Sequence, residues 1–297
     1  MKKMLALSLA MLLAFSAFSC AAKAEEKKVA VSFYPIYILS MNVFQGIGDI
    51  ELDIMTAPET GCLHDYQLLA GDMMKLADAD ALIVCGAGME PYLQDVKEQF
   101  PDLKIIDCSA GIDLIVETHT EDGTEEEEVN AHTWLDAQNA AQIVGTIAES
   151  AAALFPEDAE QIGKNADEYR EKLQALDAEI KTMLAPIRGE KIVTFHEAFP
   201  YFARAYGLEI AAVMNEEHED TLSPAKLYEV IEKVKAAGSP PLFTEPQYSD
   251  AAAYAVSAET GAPIFALDPL ASGETTPDAY EKGMLENAET LLRAFGQ

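Results

Sequence analysis

The chain has 297 residues and a net charge of −31, with 51 acidic against 20 basic residues. So large an acidic excess excludes a nucleic-acid binder, which needs clustered Lys and Arg to meet phosphate, and disfavours lying on an anionic membrane. It suits a protein that meets cations, and it also serves solubility.

Met1-Lys2-Lys3 precedes an apolar run over 4–18, which reads as a secretory signal too short to span a membrane. Ala22-Lys23-Ala24 offers an ordinary cleavage site. Ala17-Phe18-Ser19-Cys20 resembles a lipobox with Ala17 where Leu is usual, and it predicts a lipidated Cys20. The expected division is a signal at 1–19, a tether at 20–27, an α/β lobe at 28–155, a linking helix at 156–187 and a second α/β lobe at 188–297.

Short apolar runs at 29–33, 50–57, 81–85 and 104–108 read as strands, with helical stretches at 36–44, 68–77 and 92–99 between them. That alternation predicts a parallel sheet covered on both faces. Beyond Cys20 the cysteines are Cys62, Cys85 and Cys108. Cys85 and Cys108 end adjacent predicted strands, where either a disulfide or two small buried side chains would fit. Residues 119–128 hold His119 and a run of acids with no apolar anchor, which reads as a mobile acidic loop. A weaker acidic patch lies at 216–220.

Pro156 is expected to open a long helix as its first residue, with Glu157 and Asp158 in the first turn. Ile162, Tyr169, Leu173, Leu176, Ile180 and Leu184 form one apolar stripe, and Pro186 and Gly189 stop it. At 1.5 Å per residue this helix would run about 40 Å. Strand and helix signals then alternate again: strands at 191–195, 209–213, 242–244 and 264–267, a helix at 199–206, a helix capped by Ser223-Pro224, and a last helix opened by Thr276-Pro277. The predicted fold is α/β: two doubly wound parallel-sheet lobes joined by one long rigid helix.

His64, His132, His196 and Asp268 stand at nearly even intervals, each in a short loop beyond a predicted strand or just before a helix. Ligands of parallel α/β sheets bind outside the carboxyl ends of strands, and two of these residues come from each half. The expected metal site therefore lies in the cleft between the lobes. Three neutral imidazoles and one carboxylate suit four-coordinate Zn²⁺. Other motifs fail. Gly86-Ala87-Gly88 is followed by Pro91 where a dinucleotide fingerprint needs a small residue, and His196-Glu197 lacks the second His of a zinc-protease helix, Pro200 standing in its place. Asp107 spoils a nucleophile elbow around Ser109.

At these residues the chain resembles the metal-binding solute-binding proteins of bacterial ABC importers of the zinc and manganese type. The resemblance spans the mature chain. It rests on His64-Asp65-Tyr66 with Asp72-Met73, on Asn130 to Asp136, and on Phe195-His196-Glu197-Ala198-Phe199 with Tyr201-Phe202-Ala203. It continues through Ser223-Pro224-Ala225-Lys226-Leu227, Phe243-Thr244-Glu245-Pro246-Gln247 and Leu267-Asp268-Pro269-Leu270. It implies a monomeric extracytoplasmic protein, periplasmic or lipid-anchored through Cys20, that hands Zn²⁺ to a membrane-embedded ABC permease. Manganese members carry a carboxylate at the third ligand position, where this chain has His196, and imidazole favours zinc. The chain departs from the family pattern at Ala131, which replaces a common Pro, and at Cys62, whose thiolate could reach a soft metal. Its acidic loop has only His119 where many zinc members are His-rich. Glu59 or water could replace Asp268 as fourth ligand. Two other functions fit the same residues: a secreted zinc hydrolase with Asp65 or Glu197 as base, and an adhesive or metal-buffering surface protein.

Overall fold

The computed structural model describes residues 27–121, 124–214, 223–246 and 251–297, and their side chains outside 118–126. The signal segment, Cys20, most of the tether and the acidic patch at 216–220 lie outside the described residues. No described helix is long and apolar enough to cross a membrane.

The first sheet is built from β1 (Lys27–Val31), β2 (Ile50–Ile54), β3 (Ala81–Val84) and β4 (Lys104–Asp107), all parallel, in the order β2-β1-β3-β4. Its central strands are the apolar ones: every residue of β3 is fully buried, as parallel sheets covered on both faces demand. Helices α1 (Tyr34–Val43), α2 (Ala70–Asp78) and α3 (Leu93–Gln99) make the crossovers. Cys85 and Cys108 follow neighbouring strands and remain separate, buried thiols.

The stretch expected to be a mobile loop is instead an antiparallel hairpin, β5 (Val116–Glu121) with β6 (Thr124–Val129), registered from Val116 opposite Val129. Alternating Thr and Val residues supply β propensity that the acidic composition hides. Beyond it, Asp136 caps α4 (Ala137–Leu154) by accepting from the Gln138 amide at 2.8 Å.

The linking helix begins later than expected. Pro156 lies in a turn, and α5 runs over Ala159–Leu184. Glu157 and Asp158 pair with Lys27 at the start of β1, so these acids tie the turn to the first sheet and do not fill the helix's first turn. The stripe Ile162, Tyr169, Leu173, Leu176, Ile180 and Leu184 is buried as its periodicity predicts.

The second sheet repeats the plan with β7 (Lys191–Thr194), β8 (Glu209–Val213), β9 (Leu242–Thr244) and β10 (Ile264–Ala266), parallel, in the order β10-β9-β7-β8. Around it stand α6 (Pro200–Tyr206), α7 (Pro224–Ala236), α8 (Ala251–Thr260) and α9 (Ala279–Ala294). Ser223 caps α7 by accepting from Lys226 N. Helix α8 has no counterpart in the sequence reading. It is alanine-rich and buries only Ala253 and Val256, so no apolar stripe announces it.

The lobes are tied where they meet. Fully buried Trp134 donates to Pro269 O at 2.8 Å, and Tyr280 OH donates to Trp134 O at 2.6 Å. Tyr34 OH reaches Glu274 O, and Asn42 Nδ2 reaches Pro277 O, each at 2.8 Å. One apolar core runs from the first sheet through α4 and α5 to Tyr280, Met284 and Leu291 of α9. These contacts brace both lobes against the same helices.

Candidate metal centre

His64 sits in the long loop after β2. Fully buried Leu63 anchors that loop in the apolar core. Downstream, Asp72 of α2 accepts from Tyr66 OH and from Leu69 N, both at 2.8 Å, which fixes the chain's return into the helix. Nε2 of His64 is shut off from solvent.

His132 follows the hairpin, not a strand of the parallel sheet, and precedes a 3₁₀ turn at Thr133–Leu135. Asn130 holds it twice: Oδ1 accepts from His132 N at 3.0 Å and lies 3.2 Å from Nδ1. With Nδ1–H donating there, Nε2 is the ligating nitrogen. Asn130 is itself fastened to the other lobe, since Nδ2 donates to Glu197 O at 2.7 Å and its carbonyl accepts from Tyr201 OH at 2.9 Å. Burial, with His196 and His64 nearby, holds the His132 pKa well below that of an ordinary imidazole. The neutral form that a metal requires is therefore the resting form.

His196 stands just past β7, and Glu245 just past β9. These strands are neighbours where the order of the second sheet reverses, the usual place for a ligand crevice. His196 Nδ1 donates to Glu245 Oε1, which leaves Nε2, closed to solvent, for a metal. Glu245 is 1% exposed, and burial raises its pKa although His196 pulls the other way. The sequence reading quoted Glu245 without giving it a site role. Its position directly after a strand, the same signal that singled out Asp268, would have found it.

The three rings come together. His132 lies 5.3 Å from His64 and 5.3 Å from His196, centroid to centroid. Asp268 follows β10. Its Oδ1 accepts from Leu270 N at 2.8 Å, and Asn287 holds its backbone on both sides. Its charge is felt at Glu245 and at Tyr34, whose phenol is pushed up to about 12 by burial and then by Asp268 and Glu274. Burial raises the pKa of Asp268 itself, and its hydrogen bonds are to Leu270 and Asn287. Glu59 is exposed in the loop after β2. Among the described residues, the donor group whose ligand atoms all lie within 4.8 Å of one another is Cys62, His64 and His132; His196 and Asp268, expected as ligands, stand outside it.

Converging imidazoles, two of them held through Nδ1, form a donor set of the kind that suits a divalent transition metal. The model of the family described as zinc-uptake complex component A, periplasmic, matches residues 29–294. The chain belongs to that family. Its description is that of an uptake component, not of a catalyst. The zinc-binding lipoprotein AdcA of Streptococcus pneumoniae serotype 4 is 29% identical over 308 residues, covering 99% of this chain and 61% of the relative. The chain therefore spans only about three-fifths of that relative's length. The iron-binding protein YfeA of Yersinia pestis is 29% identical, covering 92% of this chain and 88% of the relative. In fold, the chain is similar to the Pseudomonas aeruginosa solute-binding protein FpvC in complex with Mn²⁺, with a TM-score of 0.82, 24% identity, and coverage of 91% and 99% of the two chains.

Proposed function

We propose that this protein captures Zn²⁺ outside the cytoplasm and delivers it to an ABC permease, the ion being cargo held by His64, His132 and His196 with Asp268 beside them. The observation that carries this reading is the convergence of three imidazoles, two of them held at Nδ1 by Asn130 and Glu245 so that Nε2 is the nitrogen that would ligate. Family membership and the name of the pneumococcal relative support zinc and extracytoplasmic placement. Imidazole at position 196, where a harder ion would prefer carboxylate, favours zinc over manganese. Metal analysis of the protein after exposure to equimolar Zn²⁺ and Mn²⁺ tests the reading: zinc at one ion per chain supports it, and manganese in preference refutes it.

Residues 28–155 and 188–297 act as the two lobes and 156–187 as their brace. The chain works as a monomer, attached to the cell membrane by lipid on Cys20. Mass spectrometry of the membrane fraction and gel filtration test these two statements. No hydrolytic role is assigned. Asp65 is exposed, and the Glu197 main-chain carbonyl serves to hold Asn130, which in turn orients His132.

A further inference from the structure

The donor group that the described residues bring together includes a residue outside the three-histidine set and leaves His196 at its margin, its ring 5.3 Å from that of His132. Cys62, two residues before His64, places Sγ 3.5 Å from Nε2 of His132. Around a tetrahedral zinc ion with Zn–S near 2.3 Å and Zn–N near 2.0–2.1 Å, a sulfur and a nitrogen ligand stand about 3.6 Å apart. The observed separation matches that value. The nitrogen concerned is also the one that Asn130, at Nδ1, leaves for ligation. The third member, His64, comes from the same loop as Cys62, so one short segment supplies two donors and His132 a third.

We infer that Cys62 is a ligand of the transported ion, its thiolate filling the fourth position with the three histidines while Asp268 stays outside the coordination sphere. The inference rests on the zinc-capture reading and refines the metal chemistry of that site. Asp268 is already engaged through Oδ1 with Leu270 N, which suits a carboxylate that supplies charge without ligating. As the Zn–S bond forms, the thiol proton leaves to solvent, because a coordinating thiol is deprotonated by the metal. A thiolate is a soft donor, so the site would favour Zn²⁺ and Cd²⁺ over Mn²⁺ by more than histidines alone achieve.

X-ray absorption on the zinc-loaded full chain tests this, with Cys62→Ser as the comparison. The wild type should show a sulfur shell near 2.3 Å beside nitrogen near 2.0–2.1 Å, and the variant nitrogen and oxygen only. The variant should also lose at least about tenfold of the Cd²⁺-over-Mn²⁺ preference, the direction a soft donor dictates. A wild-type spectrum without sulfur, or a sulfur shell that survives Cys62→Ser, overturns the role of Cys62 while the three-histidine reading stands. Failure of the wild type to retain zinc at one ion per chain overturns both.

Discussion

The Glu245–His196 pair offers a demanding test of how this cleft holds its cargo. Glu245→Gln keeps an oxygen that can accept from His196 Nδ1–H but removes the charge. Both side chains are buried, at 1% and 4% exposure, so solvent does little to screen the change. A hydrogen bond to a charged group contributes ~1.5–3 kcal/mol and a neutral one about 1, so the substitution should cost the metal complex about 1–2 kcal/mol. Zinc affinity should then fall roughly five- to thirtyfold, within the range of ~10–100-fold typical of groups that orient a metal-bound histidine. The metal-free protein should respond differently. Burial raises the Glu245 pKa, so the folded state binds this proton more readily than the unfolded chain does. The ionised group therefore detracts from stability once the pH exceeds the ordinary carboxylate value, and its replacement should not lower the apo melting temperature. Chelator-competition titration and thermal unfolding without metal read the two effects separately. Affinity within twofold of wild type would refute the orienting role. A loss as large as that of His196→Ala would mean that Glu245 ligates the ion itself.

His64→Ala, His132→Ala and His196→Ala should each weaken zinc binding at least about a hundredfold, since a structural zinc's ~10–16 kcal/mol shared among four ligands is roughly 3 kcal/mol each; Asp268→Ala should cost less, and the same titration ranks them. Because burial and its histidine neighbours depress the His132 pKa, the unfolded chain takes up a proton below about pH 6.5 that the folded protein refuses. Apo stability should therefore fall as pH drops through that region, by at most about 1.4 kcal/mol per pH unit, and urea titrations of wild type and His132→Gln should show the slope flattened in the variant. Trp134, the only tryptophan, lies 5.2 Å from the His132 ring, so its fluorescence should change on zinc addition and remain unchanged in His132→Ala. Trp134→Phe should destabilise the fold by about 1–3 kcal/mol through the lost bond to Pro269 O alone, measurable by denaturant unfolding. Removing residues 118–127 should leave equilibrium zinc affinity within twofold and slow capture at low ionic strength, where exposed charges act over the longest range; equal stopped-flow rates would refute a role for the hairpin.

Much of the architecture was legible because it depends on local pattern. Apolar runs such as 81–84 cannot stay in water, and the stripe from Ile162 to Leu184 leaves α5 only one face to bury. The strand-end positions of His196 and Asp268 followed from the same periodicities. Where local composition was ambiguous, pairing decided. The acidic stretch at 116–129 became a hairpin because each strand supplies the other's hydrogen bonds, and Pro156 fell in a turn because Lys27 draws Glu157 and Asp158 toward the first sheet. The cleft's chemistry depended still more on tertiary placement. Residue types alone named three imidazoles and a carboxylate suited to zinc. Which nitrogen of His132 and of His196 is left to ligate is set by Asn130 and Glu245, and the approach of Cys62 to within 3.5 Å of His132 joins residues 70 positions apart. A sequence lists donors, but coordination depends on distances and hydrogen-bond directions between segments, and those exist only once both lobes have closed on α4 and α5.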